Sequence, residues 1–189
     1  MKKVFLITSL FFISLTSCQG GFSEKDKKQY ISKGKEIAKA TADHLGGTVK
    51  KKMQEGGVAK AVPFCQENAD DFTKEMADKY KVAIKRTSQK LRNENNLPDS
   101  LELIQLKRFQ KLINSGEQLK PVVEKDQEGK IHFYGPIKVQ KKCLACHGVV
   151  GGTMEQKSDS IIKSLYPKDK ATGFKEGDLR GMWSISFTE

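Results

Sequence analysis

Residues that chelate metals or cross-link chains are scarce here: the 189 residues include three histidines and four cysteines. That excludes a multi-bridge disulfide framework and leaves little material for a protein-only metal cage. Internal repeats and low-complexity segments are absent from the sequence, which excludes a solenoid. Acidic residues are in deficit, 23 against 34 lysines and arginines, so the formal net charge is +11. The lysines are dispersed, and the surplus reads as a solvated basic surface that suits an acidic partner or an anionic membrane face.

Only one long apolar run occurs, and it opens the chain. MKKVFLITSLFFISLTSCQG has two lysines, an apolar stretch over residues 4–15, then small residues. This is the pattern of a secretory signal, too short for a comfortable membrane span. Its end, Leu15-Thr16-Ser17-Cys18, resembles the lipobox of bacterial lipoproteins. Residues 1–17 are therefore expected to be removed and Cys18 to carry lipid that anchors the chain to a bacterial envelope membrane, facing the periplasm or exterior. Losing Lys2 and Lys3 with that segment lowers the charge from +11 to +9. For an exported protein, nucleic acid is not an expected partner.

If Cys18 is lipidated, Cys65, Cys143 and Cys146 remain. An odd number of thiols in an oxidising compartment calls for a role other than full disulfide pairing. Residues 19–29 are polar and read as a tether, giving a domain over residues 30–189. From Tyr30 the apolar positions Ile31, Gly34, Ile37, Ala38, Thr41, Leu45, Val49 and Met53 fall three or four apart, the stripe of a long helix that Gly56-Gly57 ends. A second helix over 58–80 places Val62, Cys65, Ala69, Phe72 and Met76 on one face, with Pro63 either kinking it or marking its start. A strand follows near Val82, then a loop with Asn93, Asn95 and Asn96. Pro98-Asp99 opens a third helix whose expected buried side is Leu101, Ile104, Phe109, Leu112 and Ile113. Two strands joined at Gln127-Glu128-Gly129, a short helix ending near Leu165 and a final strand, GMWSISF, complete an α+β pattern with an antiparallel sheet.

KKCLACHGVV, residues 141–150, concentrates two cysteines and a histidine in five positions. Cys-x-x-Cys-His is the attachment signature of c-type haem. Thiols three residues apart on one helical turn reach the two porphyrin vinyl groups, and the adjacent histidine lies under the iron. Cys143 and Cys146 would form the thioethers and His147 the axial bond, giving one covalent haem c. The attachment occurs outside the cytoplasm, in agreement with the export signal. A zinc site would need two further ligands from Cys65, His44 and His132, which lack the usual spacing. A thioredoxin-like redox pair belongs after the first strand of a βαβ unit. The residues themselves leave the sixth iron ligand open among Met53, Met76, Met154, Met182, His44, His132, Cys65 and none.

AVPFCQENA, RTSQKLRNENNLPD, CLACHG and YPKDKATGFKEGDLRGMWSISF, in that order along the chain, resemble a family of bacterial c-type haem domains. The family was long one of unknown function and is called Tll-like. Here RNENN stands where that family usually has Arg-Asn-Pro. The resemblance implies a PAS-like fold and makes Cys65 the axial partner of His147. By charge logic, Arg86, Arg92 and Asn93 in the matching segment are expected to face the haem propionates. Tyr134 and Trp183 are expected in the core or at the haem edge.

The expectation is a non-enzymatic haem protein in redox or gas sensing, with a low-potential electron carrier as the alternative and a haem enzyme least favoured. No apolar span follows the domain, and no kinase or cyclase region accompanies it. A sensor of this form is expected to signal through a separate redox or signalling protein.

Overall fold

The computed structural model describes residues 22–188; the segment expected to be an export signal, residues 1–17, and Cys18 lie outside them. The first helix, α1 (Glu24–Gly56), begins six residues earlier than the apolar stripe indicates. Ser23 and Asp26 cap each other's backbone amides in a reciprocal capping box, and Lys27 pairs with Glu24 at 2.6 Å. These polar residues start a helix rather than forming a tether. Phe22 packs beside Tyr30 on the core, which moves the domain boundary back to the start of the described chain.

Gly57 adopts a positive φ of 63°, reversing the chain into α2 (Val58–Tyr80). The two helices pair antiparallel: His44 bonds Glu75 across them at 3.1 Å and its ring meets Phe72 edge-on. Pro63 lies in the second turn of α2, where its missing amide removes one early helical bond without ending the helix.

The strands β1 (Val82–Thr87), β2 (Val122–Lys125), β3 (Ile131–Lys138) and β4 (Leu179–Phe187) form one antiparallel sheet in the order β1-β4-β3-β2. Alternation divides its residues between two faces. Ile131, Phe133 and Ile185 join Ile37 and Ala38 of α1 on one face. Tyr134, Met182 and Leu179 join Leu106 and Phe109 of α3 (Ser100–Asn114) on the other. The observed class is thus α+β, with long N-terminal helices on an antiparallel sheet. No helix among the described residues is long and apolar enough to cross a membrane.

The third helix sits rotated from its expected setting. Leu101 and Ile104 are 42% and 58% exposed, whereas Glu102 and Gln105 are buried. Glu102 receives the Asp99 amide and the Lys85 ammonium. Those bonds satisfy a carboxylate inside and turn two apolar residues outward. The expected buried side therefore holds at Phe109 and fails at Leu101 and Ile104.

Close approach of α1 to the sheet is set by Gly34, where a Cβ would lie 2.2 Å from the Phe133 ring. Gly34→Val is expected to force the helix off the sheet at a cost of about 1–3 kcal/mol. Urea unfolding should show a lower midpoint with unchanged slope.

Candidate functional site

The sheet face that begins with Phe133 and Ile185 does not stay covered along its whole length. Cross-strand register places Gly135, Trp183 and Arg86 side by side on it, then Ile137 opposite Gly181. Trp183, Arg86, Ile137 and Gly181 line a cavity of about 430 Å3, within the size range of small-molecule sites. From the helical hairpin, Ala42, Leu45, Gly46 and Val49 of α1 and Cys65 and Ala69 of α2 line the same cavity. A Cβ at Gly46 would meet nothing within 4 Å. Small side chains at 42, 46 and 69 thus give a wall with little relief, suited to a flat ligand.

Cys143 and His147 reach the cavity from the segment after β3. The short helix α4 (Leu144–His147) is closed by Gly148, where a Cβ would lie 2.2 Å from Thr153 Oγ1. His147 donates its Nδ1 hydrogen to the Ala171 carbonyl at 2.7 Å. A carbonyl only accepts, so the neutral tautomer is fixed and Nε2 keeps its lone pair for a metal. Burial, then the charges of Arg180 and Arg92, hold the imidazole well below its ordinary proton affinity. That is the state a ligand must have. Cys146 instead packs beside Val62, Met154 and Ile162; its carbonyl accepts from Arg92 Nη2 at 2.6 Å.

Of the residues open as the opposite ligand, Cys65 lines this cavity with His147. His44 is held by Glu75, and His132 lies between Ser186 and Asp126 at 2.9 and 2.7 Å. Met76, Met154 and Met182 are buried core residues, and Met53 is not among the lining residues. Cys65 is a free thiol. Burial pushes it up, while Arg86 draws it down.

Three arginines converge on the site. Arg86 is held in register with Trp183 and lies over its ring at 5.7 Å, and it forms no ion pair among the described residues. Burial lowers its proton affinity. Arg92 also lines the cavity, yet Nε and Nη2 are committed to Asp169 at 3.3 and 3.1 Å. Asn93 lines the rim and donates to Asp70 at 3.4 Å. Arg180 was not anticipated from sequence. The register steps from Ile137↔Gly181 to Lys138↔Leu179, leaving Arg180 unpaired in a bulge. A bulge re-aims a side chain, and Arg180 lines the cavity instead of following strict alternation. Burial, then Arg92, lowers its pKa to about 10. A lone arginine within an apolar strand was the available signal. Tyr134 is core, and Trp183 forms part of the cavity wall.

The donors that line the cavity fit haem: the His147 imidazole and the Cys65 sulfur could hold its iron, the Cys143 thiol is within the same cavity, and arginines could meet its carboxylates. Among the described residues no group of three or more His, Cys, Asp or Glu is placed to hold a bare metal ion.

Keeping His147 neutral has a pH consequence. Its folded-state proton affinity is lowered, so below the ordinary imidazole range the unfolded chain takes up a proton that the folded chain refuses. The stability contribution is complete above about pH 6.5 and is lost as pH falls below that value. Apoprotein stability is expected to fall less steeply between pH 7 and 5 in His147→Gln, measured by urea unfolding at each pH.

A comparison with curated proteins finds no match. Among solved structures, the crystal structure of the cyanobacterial heme-protein Tll0287 is similar, with a TM-score of 0.65 and 26% sequence identity. The similarity covers 85% of this chain and 96% of that one. The profile of the Tll0287-like family matches residues 23–188, and the chain belongs to that family.

Proposed function

We propose that this is a non-enzymatic c-type haem protein, lipid-anchored through Cys18 on the outer side of a bacterial membrane, acting in redox or gas sensing. One observation carries the reading: Cys65 of α2 and His147 of α4 face a single cavity together with Cys143 of the attachment motif. The haem of the structural neighbour Tll0287 supports it. When bound, haem supplies an iron that exchanges one electron and, with an axial position free, binds diatomic gases.

The chain's own residues bias that chemistry. Cys143 and Cys146 would make the thioethers, and His147 would bind through Nε2. Arg86 and Arg180 are the cations for the propionates. A Cys65 thiolate in a largely buried site disfavours the extra negative charge of reduction, which favours a low potential. Burial already raises the proton affinity of this sulfur. Cys65, if it holds the iron, would accept a proton from solvent more readily once the bound group is reduced, and would then withdraw.

The electron-carrier reading is favoured by a different feature. Asn96 lines the cavity, and the next residue, Leu97, is 67% exposed, with Leu101 and Ile104 also exposed nearby. Further along α3 the exposed charges, Lys107, Arg108 and Lys111, are all basic. An apolar patch with neighbouring cations would suit an acidic redox partner.

Protein matured in a host competent for cytochrome assembly is expected to be red and to carry the added mass of one haem. Cys65→Ser should change its oxidised absorption and its low-spin resonance spectrum. Carbon monoxide should shift the Soret band of dithionite-reduced protein if Cys65 leaves; an unchanged band with rapid electron exchange would favour the carrier. Gly46→Phe should keep the apoprotein folded, since position 46 is open, while reducing haem incorporation at least about tenfold, read from haem absorbance per protein. Colourless wild-type protein would sink the haem reading.

A further inference from the structure

We infer that Asp169 and Arg92 are a positioning pair that fixes His147 as an iron ligand, rather than Arg92 serving chiefly as a propionate contact. The inference rests on the reading of His147 as that ligand. The Asp169 side chain is wholly buried and that of Arg92 is 14% exposed. Asp169 Oδ1 accepts the Ala171 amide at 2.8 Å and Arg92 Nε at 3.3 Å, while Oδ2 accepts Arg92 Nη2 at 3.1 Å. The carbonyl of that same Ala171 receives His147 Nδ1–H at 2.7 Å.

Arg92 reaches the other side of the histidine as well. Nη2 donates to the carbonyl of Cys146, the residue before His147, at 2.6 Å, and more weakly to the Ala171 carbonyl at 3.5 Å. Backbone bonds complete the enclosure: Phe174 N–H donates to the His147 carbonyl at 3.0 Å and Gly173 N–H to the Gly148 carbonyl at 2.8 Å. One fork therefore holds both the segment carrying the histidine and the carbonyl that orients its ring. Removing outer-shell partners of this kind typically costs about 10–100-fold in metal affinity or activity.

The sign of the effect follows from the charges. Neutralising Asp169 leaves Arg92 without its counter-charge near the iron and loosens the carbonyl that enriches the imidazole. Both changes favour the reduced state. In the haem-loaded full chain, Asp169→Asn is expected to move the reduction equilibrium about tenfold toward the reduced form, or 59 mV for one electron. Arg92→Lys keeps the charge and loses the planar fork; its ferric resonance signal is expected to split into more than one low-spin species.

Glu102→Gln is the control, because Glu102 is a buried acid paired to Lys85 at 2.7 Å under a different helix. It should lower thermal stability and leave potential and spectrum unchanged. The proposal is overturned if Asp169→Asn and Arg92→Lys both match wild type in potential and resonance spectrum, or if Glu102→Gln shifts the potential as far. Should Asp169→Asn fail to mature, Arg92→Lys decides the matter by its spectrum. A haem-free wild type would instead overturn the function proposed above.

Discussion

Positive charge in excess of the carboxylates facing one cavity, three arginines against Asp70, is the constraint around which this domain is arranged. Arg86, Arg92 and Arg180 all line it, and the one fully buried carboxylate beside them, Asp169, is taken by Arg92. The molecule moderates the repulsion locally. Arg180 Nη1 donates to the Lys90 carbonyl at 3.0 Å, and the rings of Phe174 and Trp183 present their faces to Arg180 and Arg86. Such contacts contribute about 0.5–2 kcal/mol each. A dianionic ligand such as the proposed haem would add balancing charge, and by mass action its binding would stabilise the folded chain.

The cavity exists because the sheet and the hairpin lose contact in a graded way. Gly34 lets α1 rest directly on Phe133, and the same helix about two and three turns later presents Ala42 and Gly46 to the cavity. Below it, the sheet passes from the Phe133–Ile185 pair, two large side chains, to pairs in which one member is glycine, Gly135 with Trp183 and Gly181 with Ile137. A glycine in mid-helix costs about 1 kcal/mol relative to alanine. At Gly46 that cost keeps the wall clear for a ligand.

Periodicity made α1 legible because one stripe does one task there: Gly34, Ile37, Ala38, Thr41 and Leu45 are all buried. It failed where polar residues do the burying. Leu101 and Ile104 look like core until Glu102 is seen to hold the cap and an ion pair, and residues 24–29 look like a tether until the Ser23–Asp26 box is recognised. At the site, CLACH announced itself by spacing, and Cys65 needed the family resemblance. Arg180 was hidden because strand alternation cannot foresee a bulge. Asp169 and Ala171 were hidden because their roles depend on backbone contacts made across the fold, which no local pattern encodes.

The two axial candidates are held very differently, and that asymmetry decides where change can start. His147 is fixed by its ring bond to Ala171, by its own carbonyl and by the Arg92 bond to the preceding peptide; moving it would break several buried hydrogen bonds, each costing about 1–3 kcal/mol when left unmade. Cys65 is a free thiol with burial as the main influence on its proton, and no comparable set of bonds opposes a rotamer change. Under the proposed ligation, ligand loss would therefore begin on the cysteine side. Cys65 lies on α2, which turns back on α1 at Gly57 and is tied to it again by the His44–Glu75 bond, so under the proposed reading a displaced Cys65 would bear first on this helical hairpin.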